Sequence, residues 1–329
     1  MNRKFKHIIV TGGAGFIGSH VVKKLNEKLP DTKITVIDKL TYAGDLNNLN
    51  GTEHDFLMID IADNQQVRNL KELDCDAIIH LAAESHVDRS IENPLDFVET
   101  NVIGTVNLLE LGLHYKHQNP DFIFYHVSTD EVFGSLDFMD ASFKETTPYD
   151  PRSPYSASKA ASDHFVRAYH HTYGLNILLS NCSNNYGPNQ YPEKLIPVVI
   201  KALQDRTPIP VYGKGENIRD WLHVEDHAEA ILLILQRGSY GKTYCVGGNC
   251  ELSNIELIHK LIRIYDEIQS SSGFKIKSEH LIQYVNDRPG HDLRYSINYE
   301  KLTNELGWWP KRSIVEGLVE TVCWYIRPQ

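Results

Sequence analysis

HIIVTGGAGFIGSHVVKKL, residues 7–25, sets a β-branched run before a glycine turn and an amphipathic stretch after it. It reads as strand, turn, helix. Gly12, Gly15 and Gly18 form G-x-x-G-x-x-G. The first glycine permits a tight turn, the second lets backbone approach a pyrophosphate, and the third lets helix and strand pack closely. The helix N-terminus offers free N–H groups to the phosphates. About twenty residues on, a second strand ends in Asp38. A carboxylate there accepts both ribose hydroxyls and repels a 2′-phosphate, which favours NAD over NADP. Lys39 beside it softens that preference.

Outward from this turn the pattern repeats. Further strands are expected at 33-KITVID-38, 55-DFLMID-60, 76-DAIIHL-81, 122-FIFYHVS-128 and 175-LNILLSN-181. Helical patterns fall at 95-LDFVETNVIGTVNLLELGLHY-115 and 155-YSASKAASDHFVRAYHHTY-173. Alternating helices and near-continuous apolar strands mean a parallel sheet covered on both faces. The expected fold class is α/β, a Rossmann-type doubly wound parallel sheet with its ligand crevice at the carboxyl ends of the strands. Beyond residue 181, Asn, Gly, Pro and Tyr cluster in 181-NCSNNYGPNQYPEKLIP-197 and strand signals thin out. The stretch 225-EDHAEAILLILQRG-238 still reads as sheet-covering helix. The expected division is residues 1–181 for the dinucleotide, with 220–248 returning to that unit. Residues 182–219 and 249–329 then form a smaller α/β substrate-binding lobe. The region 266-DEIQSSSGFKIKSEH-280 reads as polar loop.

Composition excludes several classes. The net charge is −10, with no basic stripe for nucleic acid. No apolar run approaches the ~20 residues a membrane span needs. The basic start is followed by too short an apolar run for a signal peptide. Five scattered cysteines without a CxxC pair speak for a reducing, cytoplasmic setting and against a zinc site. His114 and His117 could share a helical face, but two ligands are too few for zinc.

The stretch 126-HVSTDEVFG-134 ends an apolar strand in a hydroxyl and two adjacent carboxylates. Successive strand side chains face opposite ways, so the chain must turn at or before Asp130 for both to reach one place. Gly134 suits such a turn. Tyr155 and Lys159 form the only Tyr-x-x-x-Lys. On a helix they share a face about 6 Å apart. An ammonium there favours the phenolate and lowers its pKa, so Tyr155 can take a proton from an alcohol as hydride leaves its carbon.

Together the glycine turn, Asp38, 81-LAAES-85, Ser128-Thr129, Tyr155 and Lys159 resemble the extended short-chain dehydrogenase/reductase superfamily. The segments 181-NCSNNYGP-188, 193-EKLIP-197, 212-YGKGENIRDWLHVEDH-227 and 306-LGWWP-310 are similar to its nucleotide-sugar-modifying members. The likeness runs from about residue 7 to the C-terminus. It implies a catalytic set of Thr129, Tyr155 and Lys159. Asp-Glu directly after Thr is similar to the signature of dTDP-glucose 4,6-dehydratases, which implies Asp130 as acid and Glu131 as base. A 4-epimerase has no use for that pair.

By the same resemblance NAD is held by Gly12, Gly15, Phe16, Ile17 and Gly18, by Asp38, Lys39, Leu40 and Thr41, and by Asp60 and Ile61. Leu81, Ala82, Ala83, Ser85, Thr100, Tyr155, Lys159 and Asn185 complete that set. The nucleotide sugar falls to Ser85, Thr129, Asn184, Glu193, Lys194 and Leu195, then to Pro210, Val211, Tyr212 and Asn254. Arg219, Arg288 and His291 are its diphosphate candidates. No metal is implied. The implied reaction turns dTDP-glucose into the 4-keto-6-deoxy sugar, a precursor of deoxysugars such as rhamnose. A sugar 4-epimerase, a dehydratase for another nucleotide sugar, and a non-catalytic NAD-sensing module remain as alternatives. Residues 95–115 and 155–173 resemble helices that pair between subunits, which implies a homodimer with a four-helix interface.

Overall fold

The computed structural model describes residues 2–270, 277–287 and 290–327. The first half runs β1 (His7–Thr11), α1 (Phe16–Lys28), β2 (Lys33–Asp38), β3 (Asp55–Met58), α2 (Asn64–Asn69), β4 (Ala77–His80), α3 (Val87–Glu92) and α4 (Pro94–Phe97). A π-helical segment (Val98–Ile103) leads into α5 (Gly104–Gln118), then β5 (Ile123–Thr129), α6 (Pro154–Tyr173) and β6 (Ile177–Cys182). There follow β7 (Asn184–Tyr186), α7 (Leu195–Asp205), β8 (Ile209–Tyr212), β9 (Ile218–His223), α8 (Val224–Arg237), β10 (Lys242–Val246) and β11 (Glu251–Ser253). The chain ends with α9 (Asn254–Ser270), β12 (Ile282–Val285), α10 (Glu300–Leu306) and α11 (Ile314–Ile326).

Seven parallel strands form the main sheet in the order β10-β6-β5-β4-β1-β2-β3. Strand alternation sorts their side chains to two faces. Ile8 and Val10 pack with Val21, Val22 and Leu25 of α1 and with Ile231 of α8. Ile9, Ile37 and Ile78 pack with Leu108 and Leu109 of α5 and Val166 of α6. Both faces are therefore dry, as the unbroken apolar strands require. Strand order reverses between β1 and β4, and a crevice opens at that switch point.

The remaining strands build two small sheets, β11-β9-β7 and β12-β8. They lie with α7, α9 and α11 around a third apolar core containing Val199, Ile258, Leu261 and Leu318.

Two expectations need correction. Residues 95–115 are not one helix: α4 passes through the π-helical segment before α5 begins at Gly104. The extra residue per turn re-aims Asn101 (below). Residues 266–270 are not loop, because Ile258, Leu261, Ile262 and Tyr265 give α9 a buried face that carries it to Ser270. Residues 271–276 lie outside the described residues.

Candidate active site

The cleft at the switch point begins with the glycine turn. Gly12 has φ +70° and lies so close to β4 that a Cβ would come within 2.7 Å of Ala82 N. A Cβ on Gly18 would collide with the Gly12 carbonyl oxygen. Gly15 caps α1 without a side-chain partner. Backbone alone forms this cradle, and it fits the pyrophosphate of a dinucleotide. Asp38 closes one side: its Oδ2 accepts from Ala14 N at 3.1 Å and its Oδ1 from Leu40 N at 2.9 Å. Burial raises its carboxyl pKa above the usual range against those bonds.

Phe16, Ile17, Lys39, Thr41, Ile61, Leu81, Ala82, Ala83, Ser85, Thr100 and Asn185 also line the cleft. Lys39 Nζ is 3.3 Å from Thr100 Oγ1 and 3.5 Å from Asp60 Oδ2. Two residues of the implied set stand back from the cleft wall. Asp60 holds Lys39 from outside, and Leu40 contributes the backbone N–H that Asp38 accepts. Asn185 reaches the cleft, but its amide is occupied: Oδ1 faces His227 Nδ1 at 2.8 Å and Nδ2 donates to Ser183 O at 2.9 Å.

β5 delivers the hydroxyl and the carboxylates. It ends at Thr129, and Asp130–Phe133 continue as one 3₁₀ turn. Thr129 Oγ1 accepts from Glu131 N at 3.2 Å. Gly134 ends the turn at φ +90°. Phe133 anchors it by stacking on Phe143 at 5.2 Å and meeting Tyr149 edge-on at 5.2 Å. Such pairs are worth about 0.5–1.5 kcal/mol each beyond burial. The turn lets Asp130 and Glu131, neighbours in sequence, both line the cleft beside Thr129, Tyr155 and Lys159.

The two carboxyls differ in setting. Asp130 is buried, accepts from Thr129 Oγ1 at 3.3 Å through Oδ1, and has no hydrogen-bond partner for Oδ2 among the described residues. Burial, then the charges of Glu131 and Asp220, push its pKa well above the carboxylate range. That shift favours the protonated carboxyl. Glu131 is only half-buried.

Ser153 caps α6 in a capping box, which starts the helix one residue before Tyr155. Lys159 Nζ donates to Val127 O at 2.9 Å. The expected lowering of the Tyr155 pKa is not what the site produces. Burial, then Glu131, raises it well above the usual value, and Lys159 spends its ammonium on strand β5. Tyr155 is a protonated phenol here.

The remaining implied substrate residues divide. Asn184, Glu193 and Lys194 line the cleft. Glu193 Oε1 accepts from Tyr42 OH at 3.2 Å, and Lys194 Nζ donates to Ser85 O at 3.0 Å. Leu195, Pro210, Val211, Tyr212, Arg219, Asn254 and His291 are not part of the cleft wall. Leu195 opens α7, Pro210–Tyr212 form β8, and Asn254 opens α9. Val211 is buried in the third core. Arg219 donates to Ile218 O and Asp292 O and lies 4.2 Å from the Tyr295 ring. His291 Nδ1 is 2.7 Å from Asp287 Oδ1. Arg288 lies outside the described residues.

Sequence reasoning missed Cys182, Ser183, Gln190 and Tyr191, which also line the cleft. It missed Arg89, whose guanidinium lies 3.5 Å from the Tyr42 ring centroid and whose Nε is 4.0 Å from Oε2 of the cleft residue Glu193. It missed Asn101, which the π-helical segment turns onto the 81–85 loop. Asn101 Oδ1 accepts from Glu84 N at 2.9 Å, and its Nδ2 donates to Ser158 Oγ at 2.8 Å. The only available signal was a polar residue inside an apolar helical pattern.

Sheet order, glycine cradle and a Tyr-Lys pair on one helix define an extended short-chain dehydrogenase/reductase. The chain belongs to the GDP-mannose 4,6 dehydratase family, whose sequence profile matches residues 9–321. It is 51% identical to a dTDP-glucose 4,6-dehydratase of Xanthomonas campestris over 98% of this chain and 93% of that one. It is 46% identical to the dTDP-glucose 4,6-dehydratase of Haemophilus influenzae, over 97% and 98%. A crystal structure of the dTDP-glucose 4,6-dehydratase of Streptomyces venezuelae with NAD and TYD bound is similar at TM-score 0.87 and 44% identity, over 97% and 96%. A UDP-glucose 4-epimerase of Thermotoga maritima shares the fold at TM-score 0.84 but only 29% identity, over 97% and 98%.

Proposed function

We propose that this chain is a dTDP-glucose 4,6-dehydratase, an NAD-dependent hydro-lyase. One observation carries the reading beyond the relatives' names: Asp130 and Glu131 share the cleft with Thr129, Tyr155 and Lys159, and Asp130 is buried with its carboxyl pKa pushed well above the usual range. An epimerase has no step for a proton donor and an added carboxylate at that place.

The chemistry divides by residue. NAD, when bound in the glycine cradle, supplies the site that takes hydride from sugar carbon 4 and gives it back to carbon 6. Tyr155 takes the proton of the 4-hydroxyl as a phenolate, once its own phenolic proton has passed to solvent, with Thr129 beside the same oxygen. Lys159 places a positive charge one helical turn from the phenol. The ketone at carbon 4 makes the carbon 5 proton acidic, and Glu131 removes it, then gives a proton back to carbon 5 as hydride returns to carbon 6. Asp130 protonates the departing 6-hydroxyl, so water leaves. Two adjacent carboxyls can act oppositely only if their environments separate their proton affinities. The burial of Asp130 against the half-exposed Glu131 supports that separation.

Residues 1–181 with 220–248 are read as the cofactor unit, and 182–219 with 249–329 as the nucleotide-sugar lobe. Pro210, Val211, Tyr212, Asn254, Arg219, Arg288 and His291 would serve the nucleotide end from that lobe. A homodimer is part of the reading. Leu95, Val98 and Ile103 beside α5, and Phe165 of α6, expose apolar surface on the helices that the resemblance pairs. Sedimentation as a monomer at micromolar concentration would contradict it. A cytoplasmic setting is supported by five free cysteines and by the absence, among the described residues, of any helix long and apolar enough to cross a membrane.

Mixing the purified protein with dTDP-glucose tests the function. Loss of one water from the nucleotide sugar, without stoichiometric NAD consumption, is expected. An unchanged mass with a new stereoisomer would mean an epimerase. No turnover until another nucleotide sugar is supplied would reassign the substrate.

A further inference from the structure

Three fully buried polar residues lie beneath the site and take no part in the steps above: His126 on β5, Asn181 on β6 and Asp163 on α6. Asp163 Oδ2 accepts from Tyr149 OH at 2.6 Å and from Asn181 Nδ2 at 3.2 Å. Its Oδ1 lies 3.2 Å from His126 Nε2. Asn181 Nδ2 also donates to Thr129 O at 3.0 Å, where β5 gives way to the Asp130-Glu131 turn. Asp163 sits one helical turn after Lys159, on the same face of α6. A buried carboxylate is costly unless paired and hydrogen-bonded, so its place here needs a reason.

Charge supplies one. Burial pushes the Asp163 carboxyl up, but His126, then Lys159 and Tyr149, bring it net below the usual range. His126 is pushed down to about 4, by burial first and Lys159 next, so it is neutral. The other groups facing this pair are His80 from β4, Cys182 from β6, Tyr149 from the segment before α6, and Tyr155 and Arg167 on α6 itself. Burial holds the His80 imidazole neutral and the Cys182 thiol, Tyr149 and Tyr155 protonated. Arg167 is cationic and turned to Tyr149 OH at 2.7 Å. Among these groups Asp163 is the one anion.

We infer that Asp163 is a positioning residue: it anchors the Thr129 turn through Asn181 and supplies the buried counter-charge of the Lys159 ammonium. The inference rests on the dehydratase reading for the reaction it serves, while its charge relation to Lys159 can be measured without substrate. Removing the anion disfavours the ammonium, so Lys159 gives up its proton at lower pH.

The test uses full-length enzyme labelled with ¹⁵N at lysine Nζ, the Lys159 signal being assigned by its loss in Lys159→Met. In Asp163→Asn the midpoint of the Lys159 titration is expected to fall by about one pH unit. The alkaline limb of kcat against pH should fall with it. Tyr149→Phe removes a hydrogen bond to the same carboxylate but not its charge, and should leave the Lys159 midpoint in place. Asn181→Ala should lower kcat without moving that midpoint. An unmoved midpoint in Asp163→Asn, or an equal shift in Tyr149→Phe, would overturn the charge role. Unchanged kcat in Asn181→Ala would overturn the anchoring role, and that variant decides it even if Asp163→Asn does not fold. Wild-type enzyme that dehydrates no nucleotide sugar would sink the functional reading instead, and the Lys159 titration would still decide the charge relation.

Discussion

Lys159 Nζ donates to the main-chain oxygen of Val127 at 2.9 Å, tying the first turns of α6 to the end of β5. The phenol-bearing helix and the carboxylate-bearing turn are thereby fixed to each other. Lys159→Met cuts that tie and removes the cation. Its kcat should fall by about 10²–10⁴-fold, the span of a lost acid–base group. Tyr155→Phe should fall as far and, with dTDP-glucose added, show no absorbance of reduced nicotinamide. Rapid-scan spectroscopy checks both. A Tyr155→Phe enzyme that still reduces its cofactor would contradict the role given to the phenol.

Glu131→Gln separates redox from water loss. Tyr155 and Lys159 remain, so reduced nicotinamide should build up on mixing with substrate. Removal of the carbon 5 proton should slow by about 10²–10⁴-fold. Single-turnover mass analysis reads the second quantity. Dehydration at the wild-type rate would make Glu131 a bystander.

Asp130→Asn should trade stability against turnover. In the fold, burial holds the Asp130 proton to well above the ordinary carboxyl pKa, whereas the unfolded chain releases it near about 3.9. The folded state thus binds the extra proton, and this group's contribution to stability declines as pH rises through that window. Asparagine cannot ionise. The melting temperature of Asp130→Asn relative to wild type should therefore increase from pH 5 to pH 8 by calorimetry, while dehydration fails at both. A pH-independent difference would contradict a retained proton.

Gly18→Ala places a methyl against the Gly12 carbonyl oxygen and within 2.8 Å of the Gly12 carbonyl carbon. Backbone cannot yield as a side chain can, so a loss of about 2–3 kcal/mol is expected in urea unfolding, together with weakened NAD binding by calorimetric titration. Wild-type stability and affinity would contradict the close approach.

The sequence carried the main sheet because local signals and global order coincide there: apolar strands, a glycine turn at β1, and the helices α1, α5, α6 and α8 packed on its two faces. The Thr129-Asp130-Glu131 turn was legible for a related reason, since strand alternation alone demands a bend before two adjacent side chains can face one cleft. Other features depend on residues far apart in the chain. Tyr42 and Glu193 meet across 151 positions. Asp163 looked like one more polar position on an amphipathic helix, and His126 was absorbed into an apolar run. The π-helical segment leaves the apolar spacing of 95–115 almost unchanged, so periodicity could not reveal it. On β8, Val211 turns into the lobe core while Pro210 and Tyr212 stay exposed, an alternation that the family likeness alone did not reveal.

The central claim is an internal redox coupled to water loss, and dTDP-glucose carrying deuterium at carbon 4 tests it most directly. The account predicts a dehydrated product with the deuterium at carbon 6, because hydride is stored and returned within one active site. Deuterium retained at carbon 4 of an inverted, undehydrated sugar, or lost to solvent, would contradict it.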